Sequence, residues 1–398
     1  MRDSYGRNSG KKQLCTVIVV LVVVLAGITG AAAGAVALNV HHLGNFVRVW
    51  QLVHSDYLDD ASMDTLVVGA TKGIVESLGD PYSVFLDAKE NQQLMEQVQG
   101  KFGGIGIVLN NDAQKLVVLR TIKHAPAEKA GLQIGDEIVR IDDTDVSGIS
   151  QQQAIDRMRG DPGTQVSLGL YRESDGQSIS VQLTREVIVV PTVEAKILPG
   201  QPAFAYIAIS QFSAETGEEF DEVLQTQEVK SCNGMILDLR NNHGGELNAA
   251  VQAASHLIPP GPVVYIVDKN GGVDTRMTQE NAVYWGKPLV VLVNGESASA
   301  AEILAGAIKD RAAGLLVGEK TFGKGIVQTI FQLADNAGVK LTTAQYLTPN
   351  KNDIHKIGIE PDITISLDPG QIATLSPSDQ NYDAQLQKGV SVLRTMIK

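Results

Sequence analysis

The chain has 398 residues, of which 43% are hydrophobic and 20% are charged, and its formal net charge at pH 7 is −12. This length is enough for about two to three domains with well-packed cores, and the negative charge excludes nucleic acid as an expected partner because it repels phosphate backbones. Neither the two cysteines, Cys15 and Cys232, nor the 7 histidines form the closely spaced cluster that a structural zinc site needs, so no metal is expected.

Residues 14–40 form an uncharged and mostly apolar run, and basic residues outnumber acidic ones in the segment 1–13 before it. About 20 apolar residues are enough to cross a bilayer. We therefore predict a single N-terminal transmembrane helix at 14–40, with 1–13 in the cytoplasm and the rest exported to a periplasm, the cell exterior or a thylakoid lumen. A cleaved signal peptide is the alternative, because the small residues at 31–35 could hold a cleavage site.

The segment 41–98 is predicted to be a helical lead-in without chemistry of its own. Apolar residues recur at three- and four-residue spacing within 46–57 and again within 66–78, which indicates two amphipathic helices. The sequence GDPYS at 79–83 then predicts a turn.

From 99 to 187 the pattern changes to short strands separated by turn residues, which predicts a small β-rich domain. The predicted strands are 102–109, 115–122, 137–143, 165–171 and 178–184, and one helix is predicted at 150–159.

The segment 127–141, AEKAGLQIGDEIVRI, resembles the signature of a PDZ domain. The resemblance implies that the glycine-rich loop ahead of it binds the terminal carboxylate of a peptide through main-chain N–H groups, and that the peptide adds as a strand. The main-chain candidates are Gly103, Gly104 and Ile105. A dinucleotide-binding loop is the alternative for this glycine run, but it lacks the third glycine, the following helix and the later acidic residue of that fingerprint.

Strands and helices alternate between 188 and 365, which predicts an α/β core with a mainly parallel sheet, crossover helices and helices or loops on both faces. The predicted strands are 203–209, 235–240, 263–267, 289–294 and 314–318, and the predicted helices are 215–227, 246–257 and 299–310. The final segment, 366–398, is predicted to end in a short amphipathic helix that closes the fold.

Ser299 lies where the predicted strand 289–294 gives way to a helix. Free N–H groups and the positive end of a helix dipole lie at such a junction, so a developing oxyanion would be stabilised there. The alternative needs no catalysis, because a serine followed three residues later by Glu302 also forms a helix capping box. Ser299 alone does not decide between them.

Three segments taken together resemble the carboxyl-terminal processing peptidases, or tail-specific proteases. They are LDLRNNHGG at 237–245, NGESASAAEILAGA at 294–307 and GEKTFGKGIVQ at 318–328, and the resemblance extends over about 50–361, with GDPYS and the PDZ domain in the family's order. The roles that it implies are Ser299 as nucleophile, Lys324 as general base, Gln328 as the residue that orients the lysine, and Asp310 as a structural or orienting group. It also implies that Ala300 and one glycine share the oxyanion hole; Gly245 is favoured for the glycine, and Gly244 is the alternative.

A lysine base requires a dry environment. The ordinary pKa of lysine is about 10.4, so burial would have to lower it by about 2 to 3 units before the amine could accept the serine proton near neutral pH. Phe322, Gly323, Gly325 and Ile326 around Lys324 make close apolar packing available.

Two positions depart from the family pattern. His243 stands where the family usually has proline, and Ala301 replaces a frequent third serine. His243 raises a second mechanism, a Ser299/His243 pair as in other hydrolases. Asp238 and Arg240 are expected to shape the end of their strand.

The predicted function is that of a serine endopeptidase, which cleaves exported proteins recruited through apolar C-terminal tails by the PDZ domain. No metal or organic cofactor is implied, and the sequence predicts no oligomeric state. One alternative is a membrane-tethered PDZ protein that binds tails without cleaving them. Another is an acyl-CoA enzyme on a similar sheet, which would explain neither the PDZ module nor the export signal.

Overall fold

The computed structural model describes residues 40–110, 115–146, 148–366 and 383–397. The chain separates into two compact units, 1–79 and 80–398. The first unit contains helices α1 (Val40–Asp56) and α2 (Met63–Glu76), which confirms the two predicted helices. Apart from Val40, the predicted transmembrane run lies outside the described residues. None of the described helices is both long enough and apolar enough to span a membrane.

The second unit begins with strand β1 (Val84–Leu86) and helix α3 (Ala88–Gln99), and then forms the predicted β-rich domain. The strands of that domain are β2 (Lys101–Gly104), β3 (Ile107–Leu109), β4 (Leu116–Thr121), β5 (Glu137–Ile141), β6 (Thr144–Asp145), β7 (Gln165–Arg172), β8 (Gln177–Thr184) and β9 (Glu186–Val189), and its helices are α4 (Pro126–Lys129) and α5 (Gln151–Met158). The sheet order is β3-β4-β5-β7-β8, with β6 beside β5, and β2 pairs separately with β9.

The prediction of one continuous strand at 102–109 is wrong. Gly106 has φ +76°, and a Cβ added there would lie 2.2 Å from the Cβ of Ala125. The chain therefore turns at this glycine, and β2 and β3 pair with different strands.

The core of the second unit is a six-stranded sheet in the order β10-β11-β12-β15-β16-β19, parallel except for β10. Its strands are β10 (Val193–Leu198), β11 (Phe204–Ile209), β12 (Gly234–Asp238), β15 (Leu289–Val293), β16 (Leu315–Gly318) and β19 (Ile363–Thr364). The helices around it are α6 (Thr216–Gln225), α7 (Gln227–Lys230), α8 (Leu247–Leu257), α9 (Ala300–Asp310) and α10 (Ala384–Met396).

Both faces of this sheet are covered, as predicted. Residues at alternate positions, such as Leu237 and Val291, share one apolar cluster with α6, α8 and α9. Their neighbours Ile236 and Val290 share a second cluster with α10. The strands are apolar throughout because each side chain is buried on one face or the other.

A second, antiparallel sheet has the order β1-β18-β13-β14, with β17 also paired to β18. Its remaining strands are β13 (Pro262–Asp268), β14 (Val273–Met277), β17 (Ile326–Gln332) and β18 (Gly338–Leu347). The predicted strand 263–267 therefore belongs here and not to the parallel core. Strand β17 begins directly after the predicted lysine loop, so this antiparallel sheet lies beside that loop and forms a wall of the candidate active site.

Candidate active site

The three predicted segments follow β12, β15 and β16, whose carboxyl ends lie at one edge of the parallel sheet. Hydrogen bonds join the three loops. The Ala298 N–H donates to the Asn242 carbonyl at 2.9 Å, and the Phe322 N–H donates to the Ser297 carbonyl at 3.1 Å. The structure therefore brings the glycine loop, the serine turn and the lysine loop together, as the sequence predicts.

Ser299 connects β15 to α9 in a strained conformation, with φ 55° and ψ −115°. A residue with a side chain seldom adopts this region unless its surroundings enforce it, and such strain is common at functional sites. Tyr346 donates its hydroxyl to the Ser299 carbonyl at 3.1 Å. Gly244 packs so closely that an added Cβ would lie 2.7 Å from the Ser299 Cβ. These contacts hold the serine turn in place.

Glu302 joins the serine turn to the lysine loop. Its side chain is fully buried, with 0% exposure. One carboxylate oxygen accepts the N–H groups of Ser299 at 2.9 Å and Lys324 at 2.8 Å, and the other accepts the Thr321 hydroxyl at 2.5 Å and the Gly323 N–H at 2.8 Å. A single carboxylate therefore fixes the main chain on both sides of the site.

From the sequence pattern, Glu302 is predicted only as a helix cap. The structure shows that it does accept the Ser299 N–H, and that the same carboxylate has three further donors outside the helix. A signal for this role was present, because Glu302 lies between small and apolar residues in SAAEILAGA. A carboxylate buried in such surroundings needs several hydrogen-bond donors.

Lys324 is half-buried on the loop between β16 and β17. Burial lowers the pKa of its amine, and the charge of Lys340 lowers it further, whereas Asp80 and Glu302 act in the opposite direction. The ring centroid of Tyr82 lies 5.0 Å from the amine nitrogen. The environment therefore shifts the lysine pKa in the direction that a general base requires.

Gln328 lies on β17, and its side-chain amide donates to the Tyr82 carbonyl. The family resemblance predicts that Gln328 orients Lys324. The described hydrogen bonds connect it instead to the turn that carries Tyr82. That turn is fixed in place by Asp80, whose carboxylate accepts the Thr342 hydroxyl at 2.6 Å.

The two glycines of the glycine loop differ in how their N–H groups are used. The Gly244 N–H donates to Asn242 Oδ1 at 2.8 Å, whereas no hydrogen bond among the described residues uses the Gly245 N–H. Gly245 has φ +137°, and an added Cβ would lie 1.9 Å from the Phe212 carbonyl oxygen, so only glycine fits. Ala300 is the first residue of α9, where an N–H has no partner within the helix.

Family models match residues 203–365 as Peptidase family S41, residues 103–183 as a PDZ domain and residues 29–90 as the activating protease CtpB N-terminal domain. The carboxyl-terminal-processing protease of Synechocystis sp. (strain ATCC 27184 / PCC 6803 / Kazusa) is 38% identical over 323 residues, covering 80% of this chain and 75% of the relative. The chain belongs to the carboxyl-terminal processing protease family. It is a serine-type endopeptidase.

Further comparisons agree with this family. The carboxy-terminal processing protease CtpA of Bacillus subtilis (strain 168) is 34% identical over 352 residues, covering 88% of this chain and 75% of the relative. The structure of a protein assigned to the S41 proteases in Bacteroides fragilis NCTC 9343 is similar with a TM-score of 0.52 and 17% identity, over 86% of this chain and 92% of that chain. The latter likeness shows a common fold.

In this protease, Asp238 and Arg240 do shape the end of β12. The Arg240 guanidinium binds Asp238 at 2.6 Å and Asp383, the residue before α10, at 2.7 Å. Burial alone would lower the pKa of Arg240, but these two carboxylates raise it above its usual value. Asp310 accepts the Asn350 N–H at 2.8 Å, which is a structural contact.

The predicted tail-binding residues lie at the end of β2 and directly after it, just ahead of β3, the first strand of the PDZ sheet. Gly103 and Gly104 are paired with β9, and the side chain of Ile105 is buried. The Ile105 carbonyl accepts the Ala127 N–H at 2.9 Å. Strand β3, which follows them, is at the end of its sheet, so one of its edges is unpaired among the described strands.

His243 of the protease is a surface residue. Its side chain is 73% exposed, and its Nδ1 lies 3.5 Å from a Glu296 carboxylate oxygen that is also exposed. We expect His243→Ala to leave peptide cleavage at the wild-type level, because exposed pairs of this kind contribute at most about 1 kcal/mol. The measurement is kcat/KM on a peptide substrate, with Lys324→Ala assayed in parallel. A loss as deep as that of Lys324→Ala would instead support a Ser299/His243 pair.

Proposed function

We propose that the protease uses a Ser/Lys dyad, with Ser299 as the nucleophile and Lys324 as the general base. The observation that carries this proposal is the buried carboxylate of Glu302, which binds the main chain of both residues. The lowered pKa of Lys324 supports it as well, because only the neutral amine can accept a proton.

In the proposed reaction, the neutral amine of Lys324 accepts the hydroxyl proton as Ser299 Oγ attacks the peptide carbonyl. The N–H groups of Gly245 and Ala300 stabilise the oxyanion, a contribution of about 10²- to 10³-fold for each donor. The ammonium group then gives its proton to the leaving amine, and water activated by the lysine hydrolyses the acyl-enzyme. Gln328 acts on the lysine indirectly, since its amide binds Tyr82.

The substrates that we propose are exported proteins with apolar C-terminal tails. A tail would add along the unpaired edge of β3, and its carboxylate would bind main-chain N–H groups at Gly103, Gly104 and Ile105. The proposed boundaries are 99–187 for the PDZ domain and 188–365 for the peptidase core. We also propose that 14–40 anchors the protein in a membrane, with the active site on the extracytoplasmic side.

Two measurements test this function. A fluorophosphonate probe should label the wild-type protein at Ser299 and leave Ser299→Ala unlabelled. Peptides that end in a free carboxylate should be cleaved with a kcat/KM about tenfold or more above that of the same peptides with an amidated end, because hydrogen bonds to a charged group are lost. Tail binding without labelling or cleavage would indicate a binding protein instead.

A further inference from the structure

The turn that precedes β1 is fixed to the wall of the active site. Asp80 accepts the Tyr82 N–H at 3.0 Å, the Ser83 hydroxyl at 2.6 Å and the Thr342 hydroxyl at 2.6 Å. Ser83 in turn accepts the Thr342 N–H at 3.0 Å. Side chains on this turn therefore have a defined position relative to β18, although the turn is distant in sequence from the catalytic segments.

Tyr82 contacts both of the residues that are proposed to support the nucleophile. Its ring centroid lies 5.0 Å from the Lys324 amine, and its carbonyl accepts the Gln328 amide. The side chain is half-buried. A ring in this position covers the amine and excludes water from one side of it.

We infer that Tyr82 is a positioning residue of the active site, whose ring covers the Lys324 amine and keeps water from it. The inference rests on the proposed role of Lys324 as general base. It assigns a role to the GDPYS turn, which belongs to the segment predicted from the sequence to be a lead-in without chemistry.

The charges that face the amine come from three other elements. Lys340 on β18 disfavours the ammonium form, whereas Asp80 on the same turn as Tyr82 and Glu302 on α9 favour it. His355 lowers the pKa of Asp80 and so affects Lys324 only through that carboxylate. Burial is the largest influence on the pKa of Lys324. None of these charged groups changes when the Tyr82 ring is removed. Removal hydrates the amine, which raises its pKa, and also removes the attraction between the ring face and an ammonium group, which lowers it. We expect hydration to be the larger effect.

The test is the pH dependence of kcat/KM for peptide cleavage, whose acidic limb reports the pKa of the essential base in the free enzyme. In Tyr82→Ala this limb should move up by about one pH unit, a fraction of the shift that full burial causes. Near neutral pH, kcat/KM should then fall about tenfold. Tyr82→Phe should restore the wild-type profile, because it keeps the ring. Tyr284→Ala, which removes an exposed tyrosine of a surface connection, is the matched control.

An acidic limb that stays in place or moves down in a folded Tyr82→Ala protein would overturn the inference, even if the rate falls. If that variant does not fold, Tyr82→Ser, which also opens the amine to water, should show the same upward shift. Lys324→Ala is assayed alongside. Full activity in Lys324→Ala would refute the dyad itself, whereas an inactive Lys324→Ala with an unshifted Tyr82→Ala would refute only the role of the tyrosine.

Discussion

Replacing Lys324 by methionine is expected to lower kcat/KM for peptide cleavage by about 10⁴-fold, because the amine that we propose as acceptor of the Ser299 proton is lost. Methionine keeps an apolar chain of similar length and removes only the amine. The measurement is steady-state cleavage over a range of pH, in which the acidic limb of the wild-type profile should disappear together with the rate. Lys320→Met is the matched control, since Lys320 is 47% exposed and pairs with Glu360 at the surface.

The same variant should be at least as stable as the wild type. The folded-state pKa of Lys324 is lowered, so between that value and the ordinary lysine pKa the unfolded chain binds more protons than the folded one. Wild-type stability therefore rises with pH across this window, and at lower pH the folded state carries the cost of a half-buried charge. Methionine removes this cost. A lower Tm in Lys324→Met, or a retained rate, would contradict the proposed environment of the amine.

The second large effect is expected from replacing Glu302 by glutamine. The carboxylate accepts four hydrogen bonds at a fully buried position. An amide has one acceptor oxygen, and its NH₂ group would face two of the four donors. We expect a loss of about 3 kcal/mol or more in the free energy of unfolding, measured by urea denaturation. We also expect a fall in kcat, because the serine turn and the lysine loop lose their common anchor.

The matched control for this change is Glu280→Gln, at an exposed position. It should leave both the unfolding midpoint and kcat unchanged. If Glu302→Gln lost stability but kept its kcat under conditions where it is folded, the carboxylate would serve the fold without placing the catalytic groups.

Much of the site was predictable because its main groups lie in loops that directly follow apolar strands. Parallel strands bring such loops to one edge, so the sequence alone predicts that Ser299, Lys324 and the glycine loop lie together. Only one of the four hydrogen bonds of Glu302 was predictable, since a local capping pattern explains the bond from Ser299. The other three donors lie in a loop about 20 residues away.

Tyr82 could not be predicted to lie beside the lysine. Its contacts depend on β18, a strand that the sequence pattern did not reveal, and on pairings across more than 200 residues. The turn at Gly106 was not predicted for a related reason. Glycine is required there because the side chain of Ala125 lies close by, and a period-two pattern carries no information about that contact. Local periodicity predicts elements, whereas close approaches between distant segments do not leave a periodic signal.

The salt bridge between Arg240 and Asp383 has a consequence for the order in which the site is completed. Arg240 leads into the glycine loop, yet half of its charge partners lie just before α10, about 140 residues later in the chain. Until that later segment has been synthesised, Arg240 lacks one of its two carboxylate partners and one face of the sheet lacks its covering helix α10. The glycine loop is therefore fully braced only once the segment that contains Asp383 has been synthesised and has packed against the sheet.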